Sequence, residues 1–247
     1  MDSYRYNPPG QIRFGPGPLT KGVKYLLIVC CSIYLLLLLT YQIDNRWPSV
    51  VYRYLGLVPS SFWNGCLWQI FTYLFFHQIS EVWHLAFNML ILWMFGVTLE
   101  RDWGTREFLK FLAITGIGAG FVSALVLYGS GRPIIGFSGA IFGIYAAYLL
   151  LYPNREVLIF AVFPMRIRTV VYIIIALEIL MVLSPGSDKT VAHLTHFAGL
   201  GIGYFYLKPG FYKRYSERYY RWKLRRLRKK RGLSVVQDDD DDRPTLH

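Results

Sequence analysis

Uncharged apolar runs recur along this chain at a length that suits a lipid bilayer. Residues 25–43 hold 19 positions without a charge, and about 20 apolar residues rising 1.5 Å each cross a hydrocarbon core. Residues 82–99, 111–131, 133–154 and 190–207 are also free of charge, and 169–183 is shorter with a single acid, Glu178. Pro133 and Gly136 predict that the fourth run becomes helical late, near Phe137. The seven apolar residues 157–163 are followed by Pro164 and flanked by Arg166 and Arg168. They are expected to form interfacial loop rather than a span. The pattern predicts an all-α polytopic protein of six spans with a long first outer loop, about residues 44–80. In that loop Trp63, Phe71, Tyr73 and Phe75 fit partial burial among headgroups.

Composition agrees. Of 247 residues, 54% are hydrophobic and 17% charged, and the mean hydropathy is +0.32. This excludes a disordered chain and argues against an ordinary soluble domain. Cys30 and Cys31 are adjacent inside an apolar run and Cys66 stands alone, so neither a disulfide framework nor a zinc spacing is present.

The net charge is +12, and twelve of the 27 Lys and Arg lie between Lys208 and Arg231. Directly after an apolar segment, such a cluster fits a cytoplasmic membrane face better than nucleic acid. Tyr212, Tyr215, Tyr219 and Trp222 recur within it at helical spacing, as in an amphipathic helix on anionic lipid. Asp238 to Asp242 read as a solvated acidic tail. Six spans place both termini on one side. With that side inside, inner segments hold most basic residues and outer loops only Arg46, Arg53, Arg132 and Lys189. The expected organisation is a cytoplasmic lead (1–24), a membrane domain (25–207) and a basic cytoplasmic tail (208–247).

The informative residues inside apolar runs are the polar ones. They are His84 and Asn88 in the second run, Ser138 in the fourth, Glu178 in the fifth, and His193, Thr195 and His196 in the sixth. Asn88 stands 12 residues above Glu100, Ser138 14 above Tyr152, and His196 12 above Lys208. All three therefore sit roughly 18–21 Å above the inner face. A hydroxyl, an imidazole and an amide share one depth, where each alone would be costly. Gly139 and Gly143 follow Ser138, and Gly199 and Gly203 follow His196. Small residues four apart allow close helix approach. If the two faces meet, the Ser138 hydroxyl gains an imidazole base and becomes an activated nucleophile. Asn88, His84 and the Ser138 backbone N–H then become candidate oxyanion donors. Each residue also has a plainer reading, as a turn serine, a packing glycine pair or an interhelical amide, so the residues alone leave both open.

Taken together, these motifs resemble the rhomboid intramembrane serine proteases, over about residues 68–203. Gly136-Phe137-Ser138-Gly139 matches the family's G-x-S-G. His196, Gly199 and Gly203 match H-x-x-G-x-x-x-G, which His193 does not fit. His84, Asn88 and Met89 match H-x-x-x-N-M, and Glu100, Gly104 and Phe108 match E-x-x-x-G-x-x-x-F. Trp68, Phe71, Thr72 and His77 match the first-loop pattern. The chain departs where the family's Trp-Arg reads Trp68-Gln69, and where a Tyr one turn after the serine is Phe142. The interval from His77 to His84 is slightly long.

The resemblance implies a serine endopeptidase using a dyad, Ser138 as nucleophile and His196 as base, with Asn88 and His84 at the oxyanion. It implies single-pass membrane substrates cut near their outer ends at small residues, gating by the fifth helix, and no metal or organic cofactor. A carboxylate third member is not expected: Asp188 falls in an outer loop and Glu178 is expected to pair structurally. The compact layout fits a bacterial inner membrane. Two rivals are a catalytically silent rhomboid-like protein that binds membrane clients and a transporter, the latter expected to show internal symmetry.

Overall fold

A computed structural model describes residues 17–159, 163–183 and 190–208. The lead through residue 16, residues 160–162, residues 184–189 with Asp188 and Lys189, and the tail beyond Lys208 lie outside the described residues.

The first helix, α1 (Lys21–Ile43), buries Val23, Cys30, Tyr34 and Leu37 along one stripe and exposes most other side chains. That pattern suits a helix with lipid on one side and protein on the other. Its N-terminus is held by Glu100, whose carboxylate accepts the backbone N–H groups of Gly22 (2.7 Å) and Val23 (2.8 Å) and the hydroxyls of Thr20 and Thr105. A helix start leaves four N–H groups without partners and a positive dipole end, and an acid from another helix meets both needs.

The long first loop is built of short helices: α2 (Trp47–Leu55), α3 (Pro59–Trp63), α4 (Gln69–Thr72) and a 3-10 turn at Tyr73–Phe75. Next, α5 (Val82–Ile91), a π-turn at Leu92–Gly96 and α6 (Val97–Trp103) make one continuous helix. The Tyr148 hydroxyl donates to the Phe95 carbonyl inside that π-turn (3.1 Å). Gly104, at φ +83°, turns the chain into α7 (Thr105–Val126). The helix starts six residues earlier than the uncharged run because Arg106, Glu107 and Lys110 occupy its first turns.

An extended segment leads to α8 (Ser138–Leu151), in which every residue from Gly139 to Tyr148 is buried. Such all-round apolar burial marks the central helix. The stretch read as interfacial loop instead forms an antiparallel hairpin, β1 (Glu156–Ile159) with β2 (Phe163–Arg166), in register Glu156↔Arg166 and Ile159↔Phe163. Pairing satisfies the backbone of Glu156–Ile159 and Phe163–Arg166. Finally α9 (Ile167–Leu183) and α10 (Thr190–Leu207) complete the described chain.

Among the described residues, the architecture apart from this strand pair is helical. The helices Lys21–Ile43, Val82–Trp103 and Thr105–Val126 are long and apolar enough to cross a membrane. The protein is an all-α polytopic integral membrane protein with at least these three spans.

Candidate active site

The long first loop fixes the turn that carries Ser138. Leu57 and Ile134 exchange both backbone hydrogen bonds (2.9 and 2.8 Å), and the Gly136 N–H donates to the Tyr73 carbonyl (3.0 Å). Tyr73 is seated in turn on α7, where its hydroxyl donates to the Gly116 carbonyl (2.6 Å) and its ring occupies the space a Gly120 side chain would need. Gln69 stands where the first-loop pattern has arginine. It is buried, accepts the Val58 N–H (3.0 Å) and donates to the Arg53 (3.0 Å) and Tyr54 (3.3 Å) carbonyls.

Gly136 has φ +128°, a region side chains rarely occupy, and a Cβ there would lie 2.7 Å from His84 Nε2 and 3.6 Å from Ser138 Oγ. The imidazole of His84 and the hydroxyl of Ser138 thus flank this glycine. Ser138 is the first residue of α8, so its N–H is among those a helix start leaves without an intrahelical partner.

The two glycine pairs meet. A Cβ on Gly199 would fall 2.0 Å from the Gly139 carbonyl oxygen, and one on Gly203 would fall 2.9 Å from Gly143 Cα. Gly143 also packs on Thr115 of α7, and Thr195 of α10 shares a buried 2.7 Å hydrogen bond with Ser123 of α7. With the backbones this close, His196 Nε2 stands 2.8 Å from Ser138 Oγ. Phe142 lies flat on the imidazole, 4.4 Å between centroids at 9°, and supplies stacking without a hydrogen bond. Asn88 is buried, and its amide donates to the His84 carbonyl (2.9 Å) on its own helix. His84 also meets the ring of His77 edge-on at 5.1 Å.

The expectation that a carboxylate would be absent from this group is corrected by the geometry. Glu178 Oε2 lies 2.9 Å from His196 Nδ1 and 2.6 Å from His193 Nδ1. The sequence carried a signal for it. Glu178 is ten residues outward of Arg168, about 15 Å at helical rise, within a turn of the depth reckoned for Ser138, His196 and Asn88. The same reckoning on the fifth span puts the acid near the imidazole's depth, but does not set its side of the helix.

Glu178, His193 and His196 are, among the described residues, a group whose ligand atoms converge within 4.8 Å, close enough to consider a metal ion. Neighbouring ligands around tetrahedral zinc stand roughly 3.3 Å apart. The separations of 2.6 and 2.9 Å are those of hydrogen bonds.

A rhomboid domain matches residues 64–213. The chain is 36% identical over 97 residues to the mitochondrial rhomboid protein 1 of Saccharomyces cerevisiae, covering 36% of this chain and 26% of that protein. It is 32% identical over 143 residues to the rhomboid protease GluP of Bacillus subtilis, covering 58% and 26%. It is 25% identical over 199 residues to the rhomboid protease GlpG of Yersinia pestis, covering 78% and 62%. The match thus spans about a quarter of the length of the first two relatives. The matched domain takes in Ser138, His196, Glu178 and the glycine seam between α8 and α10, and on that match the chain belongs to the rhomboid family.

Proposed function

We propose that this protein is an intramembrane serine endopeptidase that cuts single-pass membrane proteins in or near their transmembrane segments. The observation that carries the reading is the 2.8 Å contact between His196 Nε2 and Ser138 Oγ at the start of a central helix. His196 removes the Ser138 proton as the oxygen attacks a peptide carbonyl. The tetrahedral oxyanion is met by the Ser138 N–H, His84 and Asn88. His196 then gives its proton to the leaving amine, and water releases the acyl group by the reverse steps. Asn88 spends one amide N–H on the His84 carbonyl and keeps a second for the oxyanion.

The reading includes six spans in a domain of residues 25–207, a cytoplasmic lead, a basic tail (208–247) on anionic lipid, both termini cytoplasmic, and a bacterial inner membrane. The excess of basic residues in inner segments supports that orientation. Relatives named rhomboid proteases support the reaction class.

The test is cleavage of a generic single-pass substrate in liposomes by the native chain, Ser138→Ala and His196→Ala, with fluorophosphonate labelling alongside. Both variants should lose cleavage, and Ser138→Ala should lose the label. Cleavage surviving in either removes the proposal. A native chain that binds the substrate without cutting it points instead to a catalytically silent client-binding protein.

A further inference from the structure

We propose that Glu178 is a positioning residue for His196 and that His193 holds Glu178 in that role. The inference rests on the serine protease reading above.

The argument begins with what a carboxylate can do. Ionised, it only accepts hydrogen bonds. One oxygen, Oε2, faces Nδ1 of both imidazoles, so each ring places its proton on Nδ1. For His196 this leaves the Nε2 lone pair aimed at the Ser138 hydroxyl. The opposite tautomer would present an N–H to the serine and could take no proton from it. For His193 it leaves Nε2 as a bare lone pair, which is buried without a hydrogen-bond partner. An unpaired buried acceptor is less costly than an unpaired buried N–H.

The second step is electrostatic. When His196 accepts the serine proton it becomes an imidazolium with a carboxylate 2.9 Å from its far nitrogen. Both side chains are only 16% exposed, where solvent screens this attraction poorly. The charge is thus stabilised as it develops.

The third step concerns the helix that carries the acid. α9 buries only Ile167 and Val171, both near its inner end, and exposes Ile173, Leu177, Ile179 and Met181 to its surroundings. An acid on such a helix is costly without a partner. His193 fills a second lone-pair direction of Oε2, and the carboxylate cannot turn away from His196 without losing that bond.

Other groups face the cluster. Ser138 and the Tyr145 phenol do so from α8, the latter close enough to feel the Glu178 charge. His193 and His196 do so from α10, and His84 stands across Gly136 from α5.

The experiment uses the full chain in phospholipid liposomes with the generic single-pass substrate, following kcat, KM, fluorophosphonate labelling rate and the acid limb of the pH–rate profile. Glu178→Gln should lower kcat roughly 10²–10⁴-fold with KM within about twofold, because the wrong tautomer becomes accessible. Labelling should slow in parallel. The acid limb should move down, since removing the carboxylate beside Nδ1 leaves the imidazolium less stabilised. Glu178→Asp keeps the charge and should return the limb toward its native position with part of the rate. His193→Gln should cost about tenfold.

Native rates in Glu178→Gln, with Ser138→Ala and His196→Ala inactive, overturn this inference and leave the protease reading standing. Loss of rate in Glu178→Gln with an unmoved acid limb assigns Glu178 to packing and overturns it as well. Should Glu178→Gln fail to fold, judged by its unfolding temperature, the acid limb of Glu178→Asp decides: a limb displaced further down than native by loss of the close contact supports the inference, and an identical profile at native rate overturns it. Cleavage by Ser138→Ala defeats the underlying reading itself.

Discussion

The α8–α10 seam and the neighbouring helix α9 bring their chemistry to the same imidazole by opposite means. In the seam, glycines let two backbones touch, and Ser138 and His196 are placed by main chain that has no room to move. On α9 most side chains beyond Val171 are exposed, and Glu178 is held by hydrogen bonds to His193 and His196. The seam gives position through steric exclusion and α9 gives it through charge. The first is insensitive to protonation and intolerant of added volume. The second tolerates volume and depends on protonation.

The strongest way to break the comparison is to add volume to the seam. Gly199→Val would drive a Cβ into the Gly139 carbonyl oxygen, 2.0 Å away, and a backbone atom inside a buried helix has nowhere to go. We expect a loss of about 3 kcal/mol or more, read as a fall in the detergent unfolding temperature together with loss of fluorophosphonate labelling. A variant with native stability would show that the seam gives way as readily as α9.

Acid offers a second contrast. His77, in the long first loop that braces Ser138, is fully buried, and burial, then the neighbouring His84, push its pKa down from 6.5 to about 3. The folded chain keeps this ring neutral while the unfolded chain protonates it. Between pH 6.5 and about 3 the unfolded state therefore binds more protons, so stability is fully present above 6.5 and falls as the pH drops through that window. The expected loss is about 2 kcal/mol by pH 5, measured by unfolding at pH 7 and 5. His77→Phe should flatten that dependence. Equal slopes in the two proteins would remove His77 as the acid-sensitive element of the fixed half.

How much of this was legible follows the same division. Apolar runs located α1, the helix Val82–Trp103, α7 and α10 because lipid and core ask for the same residues over the same length. The pairing of Ser138 with His196 could be inferred because its cause, glycines four apart on both helices, is local and written in each segment. Glu178 was expected to pair, but a lone acid in an apolar run does not declare its partner, and its bond depends on how α9 rotates against α10. The hairpin was missed for a related reason. Strand pairing of Glu156–Ile159 with Phe163–Arg166 belongs to two segments jointly, and neither shows it alone. Gln69 falls between these cases. The departure from the family's residue was plain, but only the carbonyls of Arg53 and Tyr54 show that the amide takes up the brace.

A smaller change tests the turn that joins the two regimes. Gly136→Ala puts a Cβ at φ +128° and within 2.7 Å of His84 Nε2. The strain should cost about 1–2 kcal/mol, less than the seam substitution because an imidazole can swing where a carbonyl cannot. Displacing His84 should nonetheless slow labelling of Ser138 by more than about tenfold. If stability falls and labelling does not, His84 has no place at the oxyanion.

The smallest expected effect is the most discriminating for α9. Leu177 is 52% exposed and one residue from Glu178, whereas Val171, nearer the inner end, is fully buried. Truncating an exposed side chain leaves no cavity, so Leu177→Ala should change stability by no more than about 0.5 kcal/mol. Val171→Ala should cost about 1–2 kcal/mol through lost contacts and the space left behind. The pair is measured by unfolding in detergent, where no lipid is present to compensate. If Leu177→Ala proves as costly as Val171→Ala, the outer half of α9 is packed against protein, and Glu178 is held by that packing as well as by charge. If it is silent, the carboxylate and its two imidazoles are what keep that part of α9 against the seam.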